Sequence, residues 1–169
     1  PVRLFKLYEL KSVENSQIIK TMTSSGTTGQ QVSKIYIDKL TSVIQTKVLS
    51  KIMSSFIGKS RAPMIIIDSE ETVKNRKKFS ARTAGILGFS MFGSRKVYAL
   101  NNDMTLNYER VNDFVKQHID KSILVFGFTS IVYQHFYEEL KKNNLKLNLS
   151  NGVLIHGGGW KKLTNLAVD

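Results

Sequence analysis

Met64-Ile65-Ile66-Ile67-Asp68 is the stretch that settles the architecture. It is a continuous apolar run that ends in a single acid. Runs of this kind mark strands buried on both faces, as in parallel sheets. Ile123-Leu124-Val125-Phe126 is a second such run, and Val153-Leu154-Ile155-His156 reads as the last strand. Lys96-Val97-Tyr98-Ala99-Leu100 is a further strand. Helical periodicity lies between and around them. Leu40, Val43, Ile44, Val48, Leu49, Ile52, Met53, Phe56 and Ile57 recur at three- and four-residue steps, with Asp38 as cap and Gly58 as stop. Their stripe is expected to pack in a core. Residues 107–119 form a second helix with Val111, Phe114, Val115, His118 and Ile119 on one face. Residues 131–143 form a third, capped by Thr129 or Ser130. Strands alternating with helices predict an α/β domain with a mainly parallel sheet flanked by helices. In such sheets ligands bind past the carboxyl ends of the strands.

Other segments read less regularly. Residues 1–9 suggest a short strand or extended entry, and residues 11–20 an irregular polar stretch. Residues 79–93 are rich in glycine and small residues. Glycine costs about 1 kcal/mol per interior helical site, so this is a poor core helix. It suits a wall that a ligand or another backbone approaches closely, or an irregular packed connection. His118 reads as a packing residue, and His135 has no metal-spaced partner.

Two glycine motifs carry chemistry. Thr23-Ser24-Ser25-Gly26-Thr27-Thr28-Gly29 holds five hydroxyls and two glycines, with no charge and no large apolar group. Such a stretch can gather backbone N–H groups into an anion-binding nest, or it can be a flexible linker. It lacks the spacing of the P-loop. Residues 33–38 alternate like a strand directly after it, which places the loop inside a folded domain. The second motif, His156-Gly157-Gly158-Gly159-Trp160, follows the last strand. It is similar to the oxyanion-hole segment of α/β-hydrolase esterases. That reading needs a downstream Gly-x-Ser-x-Gly elbow, and only nine residues follow Trp160. Gly88-Phe89-Ser90-Met91-Phe92-Gly93 lies upstream with the wrong spacing.

Composition narrows the field. The 169 residues suffice for one domain with a real core. With 41% hydrophobic and 22% charged residues, the chain reads as globular. There are no cysteines, which excludes disulfides, thiolate metal sites and a cysteine nucleophile within this chain. It suits a reducing, cytoplasmic setting. No apolar run reaches the ~18 residues of a membrane helix. The chain starts at Pro1 rather than Met, and residues 163–169 read like the start of a helix. The expectation is a single α/β domain fragment spanning residues 1–169, cut at both ends.

The two motifs together resemble the LuxE-type acyl-protein synthetases, within the adenylate-forming superfamily. The resemblance covers essentially the whole chain. It runs through Phe5-Lys6, residues 23–38, Arg61-Ala62-Pro63-Met64, residues 79–92, Tyr98-Ala99-Leu100, Gly127-Phe128-Thr129, and His156-Gly157-Gly158-Gly159-Trp160-Lys161-Lys162-Leu163. It implies part of the large N-terminal domain of such an enzyme. The implied reaction is ATP- and Mg2+-dependent activation of a fatty acid as acyl-adenylate. Transfer to a protein thiol follows, supplying a reductase subunit in luminous bacteria. By the family pattern Thr23, Ser24, Ser25, Gly26, Thr27, Thr28 and Gly29, with Lys34, hold the β- and γ-phosphates. His156, Gly157, Gly158, Gly159 and Trp160 lie beside the adenine and the acyl-adenylate. Gly85, Gly88, Phe89, Gly127, Phe128, Thr129 and Ser130 line an acyl channel. No catalytic residue and no metal ligand is assigned within these residues. Where many relatives carry Pro-Lys after the loop, this chain has Gln31-Val32-Ser33-Lys34, and the later family motifs fall beyond Asp169. Oligomeric state is left open.

The net charge of +12 has two readings. Scattered lysines on solvated faces, with attraction to a polyanionic nucleotide, explain it as well as a nucleic-acid or nucleotide-binding module does. The first reading predicts weak, sequence-blind DNA binding that collapses between low and physiological salt. Salt-titrated fluorescence anisotropy on unrelated duplexes checks it. Submicromolar, sequence-selective binding at physiological salt contradicts it.

Overall fold

The computed structural model describes residues 3–23, 32–74 and 80–160. The chain divides into two compact units, Pro1–Met53 and Ser54–Asp169.

In the first unit, α1 (Leu4–Leu7) is a single helical turn where an extended entry was expected. The Arg3 carbonyl accepts from the amides of both Lys6 and Leu7 and closes that turn. Residues 11–20 are not irregular throughout. A capping box between Glu14 and Gln17 closes a 3-10 turn, and β1 (Ile18–Thr23) follows. β1 pairs antiparallel with β2 (Lys34–Asp38), with Thr23 opposite Lys34 and Thr21 opposite Tyr36. β1 escaped the sequence reading because most of its residues are exposed, so no buried face imposes an alternation. The Asp38 carboxylate accepts from the Thr41 amide at 3.0 Å and starts α2 (Lys39–Ile57), as its sequence predicts. The apolar stripe of α2 departs from expectation. Leu40, Val43, Ile44, Val48, Ile52 and Phe56 are exposed, and Met53 is the buried residue of this helix.

The second unit is a parallel α/β sheet of four strands in the order β4-β3-β5-β6. These are β3 (Ala62–Ser69), β4 (Gly93–Leu100), β5 (Ile123–Phe128) and β6 (Gly152–Gly157). All eight residues of β3 are buried, which is why its sequence shows no polar face. Ile65, Ile67, Ile123 and Val125 point to one face. They pack there with Val111 and Val115 of α5 (Tyr108–Gln117) and with Phe136. Phe126 points to the other face, against α4 (Ala81–Phe89). His118 is buried at the end of α5, its Nδ1 2.8 Å from the Phe114 carbonyl, a packing role as read.

Two local readings are corrected. The glycine-rich stretch is helical: Ser80 caps α4 by accepting the Thr83 amide, and a 3-10 turn (Ser90–Phe92) leads into β4. Tertiary packing outweighs the propensity cost of its glycines. The helix after β5 is also not plain. It comprises α6 (Thr129–Ile131), a π-helical segment (Val132–Tyr137) and α7 (Glu138–Lys142). No side chain caps α6; the Thr129 hydroxyl is engaged elsewhere.

The end of β3 is held by a buried charge. Asp68 is 1% exposed. Its carboxylate accepts Nε and Nη2 of Arg82 at 2.5 and 2.6 Å, the Ser69 amide, and the Thr72 hydroxyl in α3 (Glu71–Lys74). Removing the partner of a buried charge leaves the desolvation penalty without its compensation. Arg82→Met is expected to lower unfolding stability by about 3 kcal/mol, read from denaturant midpoints at unchanged slope. Gly127→Ala tests the sheet's packing. A β-carbon there would sit 2.6 Å from Cγ2 of Val132 and 3.0 Å from Cβ of Ile67. Overpacking of this kind costs roughly 1–3 kcal/mol in the same measurement.

Candidate functional site at the carboxyl ends of the strands

The chain leaves β3 for β4 on one flank and returns to β5 on the other. The crevice where ligands enter such sheets therefore opens past the carboxyl ends of β3 and β5. The residues that reach it are set by the register of β5. Successive side chains alternate across the sheet. Phe126 and Phe128 face α4, while Gly127 faces Val132 and Ile67.

An aromatic cluster forms on the α4 side. Phe89 stacks on Phe126 with ring centroids 4.5 Å apart, and Phe126 meets Phe128 edge-on at 6.1 Å. Gly85 makes room for it: a β-carbon there would lie 3.1 Å from the Phe128 ring. Gly88, one turn on, has no atom within 4 Å of that position. Gly85, Phe89 and Phe128 are thus brought together, and Gly127 lies on the opposite face of the sheet.

The His156-to-Trp160 arm lands on the same strand end. In parallel register Gly127 lies opposite His156 and Phe128 opposite Gly157. Gly158 has φ +83°, and its β-carbon would touch the Phe128 ring at 3.1 Å, so glycine is required there twice over. Gly157 and Gly159 have open space where a side chain would stand. Oγ1 of Thr129 lies 3.0 Å from Nδ1 of His156, 2.8 Å from the Gly158 carbonyl and 3.2 Å from that of Gly157. Ser130, the next residue, is half-buried. Trp160 meets Tyr133 edge-on at 5.0 Å. Tyr133 stands on the π-helical segment; partial desolvation, then the nearby Glu138 carboxylate, raise its hydroxyl above the ordinary tyrosine range.

Sequence reasoning missed Phe126, Tyr133 and the pair of Asp68 and Arg82. Phe126 was visible only as a core residue. A π turn has no sequence signature, so nothing pointed Tyr133 at Trp160.

In the first unit, Thr23 and Lys34 face each other across the strand pair. Ser24, Ser25, Gly26, Thr27, Thr28 and Gly29, the heart of the anion-nest reading, lie outside the described residues. Nζ of Lys34 is 3.7 Å from the Glu9 carboxylate in an exposed pair, which holds little of its charge in place. The Tyr36 hydroxyl, then Lys11 and Lys34, keep the Glu9 carboxyl below its usual range.

Two general features bear on chemistry. Among the described residues no cluster of three His, Cys, Asp or Glu side chains could hold a metal ion. Nor is any described helix long and apolar enough to cross a membrane. The esterase reading meets an obstacle in the connectivity around Ser90. A nucleophile elbow turns from strand to helix. Ser90 lies between α4 and β4, where the chain turns from helix to strand.

A family model described as "Acyl-protein synthetase, LuxE" matches residues 1–169. No curated protein and no solved structure matches the chain.

Proposed function

This chain belongs to the LuxE acyl-protein synthetase family, and from that premise we propose that it carries part of the site where a fatty acid is activated with ATP. The observation that carries the reading is the convergence at the end of β5. There the aromatic cluster of Phe89, Phe126 and Phe128 adjoins the arm of His156, Gly157, Gly158, Gly159 and Trp160. An apolar wall beside open glycine backbone suits a substrate that is greasy at one end and polar at the other.

In this reading Trp160 and the open backbone at Gly157 and Gly159 receive the adenine and the acyl-adenylate. Gly85, Gly88, Phe89 and Phe128 flank the acyl chain, with Thr129 and Ser130 at its polar end. Gly127 serves by letting Val132 pack onto the sheet. Thr23, Ser24, Ser25, Gly26, Thr27, Thr28 and Gly29, with Lys34, bind the β- and γ-phosphates. Two facts support the phosphate role. Thr23 and Lys34 are opposed at the base of the stretch, and the chain's net charge of +12 favours a polyanion. Mg2+ would be held largely by the phosphates of the nucleotide, where it would offset their negative charge.

The chemistry is in two displacements. A carboxylate oxygen of the fatty acid attacks the α-phosphorus, and pyrophosphate leaves. The sulfur of an acceptor protein thiol then attacks the acyl carbonyl, its proton is lost, and AMP leaves. This chain has no cysteine, so the accepting thiol comes from outside these residues. What the residues here supply is alignment and stabilisation of developing charge.

Fatty-acid-dependent ATP–pyrophosphate exchange by the full-length protein tests the reading. Thr27→Ala with Thr28→Ala is expected to lower exchange at least tenfold, about 1.4 kcal/mol of lost transition-state stabilisation. Unfolding stability is expected to stay within about 1 kcal/mol, the range for a pair of surface-loop substitutions. Unchanged exchange removes the phosphate role. Loss of stability and activity together assigns the stretch to the fold instead.

A further inference from the structure

We propose that Thr129 is a positioning residue that fixes the tautomer of His156, so that its ring presents Nε2 as a hydrogen-bond acceptor. The inference follows from counting hydrogens. A threonine hydroxyl has one proton to give and lone pairs to receive. Oγ1 of Thr129 faces three groups within bonding distance, the carbonyls of Gly158 and Gly157 and Nδ1 of His156. Carbonyl oxygens can only accept. The hydroxyl proton therefore goes to one of them, and Gly158 is the nearer at 2.8 Å against 3.2 Å. The hydroxyl then has only lone pairs left for the imidazole, 3.0 Å away. Nδ1 must bring the hydrogen. In the neutral ring that leaves the lone pair on Nε2.

The opposite tautomer would take the hydroxyl proton for Nδ1. Two carbonyl oxygens would then face a hydroxyl oxygen with nothing between them. The backbone makes this constellation stable. Parallel register between β5 and β6 brings Thr129 to the first residues beyond the β6 pairing, and Gly158 turns there at a φ that only glycine adopts freely. The exposed His156 ring thus meets a ligand as an acceptor. On the proposed nucleotide reading, on which this last step rests, its partner is an N–H or O–H donor of the nucleotide. In this state Nε2 offers no proton to a phosphate or carbonyl oxygen.

Nitrogen-15 NMR of the imidazole in the full-length protein at neutral pH tests the proposal directly. The expected spectrum has a protonated Nδ1 and a bare Nε2 at His156. Thr129→Val should shift the ring toward the Nε2–H form that free histidine favours, and Thr129→Ser should restore the original pattern. An Nε2–H ring in the unaltered protein overturns the proposal, and this result depends on no variant folding. So does a Thr129→Val spectrum identical to the original. Exchange activity reports separately on the nucleotide reading. It should fall about tenfold or more in Thr129→Val and return in Thr129→Ser, as where a partner that orients a histidine is removed. The predicted spectra with exchange unchanged in both Thr129→Val and His156→Ala would uphold the tautomer lock and remove His156 from the nucleotide site.

Discussion

A carboxylate at the end of the most buried strand organises the second unit. Asp68 is out of water, so its charge must be met by protein donors. Arg82, Thr72 and the Ser69 amide meet it, and each belongs to a different piece of chain. The Ser69 hydroxyl extends the tie to Asn102, just past β4. Arg82 is the link with the longest reach, because it sits in the first turn of α4. Its pairing fixes where α4 lies on the sheet. That places Gly85 over the Phe128 ring, and Phe128 in turn supports Gly158. A charge satisfied at one strand thus sets the position of a backbone arm two strands away. Apolar contacts alone would leave α4 freer to slide, since dispersion has little directional preference.

The architecture was legible because burial leaves a strong mark on strand sequences. Met64 to Ile67 and Ile123 to Phe126 could be assigned to a parallel sheet from hydrophobicity alone. One cap was legible from local sequence: the Asp38 carboxylate accepts the amide of Thr41, three residues on. Failures came where a distant contact decides local structure. The stretch holding Gly85 and Gly88 looks unfit for a helix until the Phe128 ring is known to need the space at Gly85. β1 looks irregular because most of its side chains face water. Thr129 was read as a helix cap, a local role. The returning His156-to-Trp160 arm, nearly thirty residues on, claims its hydroxyl instead.

The three glycines after β6 show how a motif can divide its work. Gly158 answers to the fold, through its φ and its contact with Phe128. Nothing in the described structure demands glycine at 157 or 159, since a β-carbon at either would meet open space. A run of identical letters therefore holds two kinds of constraint. The outer two make sense where another molecule comes close to the backbone.

The π-helical segment carries a consequence of a different sort. In an α-helix, residues three apart are neighbours on one face. The wider π turn swings them apart, and here Phe136 reaches the core while Tyr133 reaches Trp160. The segment behaves as an inserted residue held in place by tertiary contacts. Its removal would shorten the chain by one position yet act mainly as a torsion. Whatever lies on one side of residues 132–137 would turn by about 100° relative to the other, the angle of one α-helical step. For this stretch, then, the unit of evolutionary change is rotational: a single-codon deletion would re-aim an aromatic ring without altering any side chain that stays.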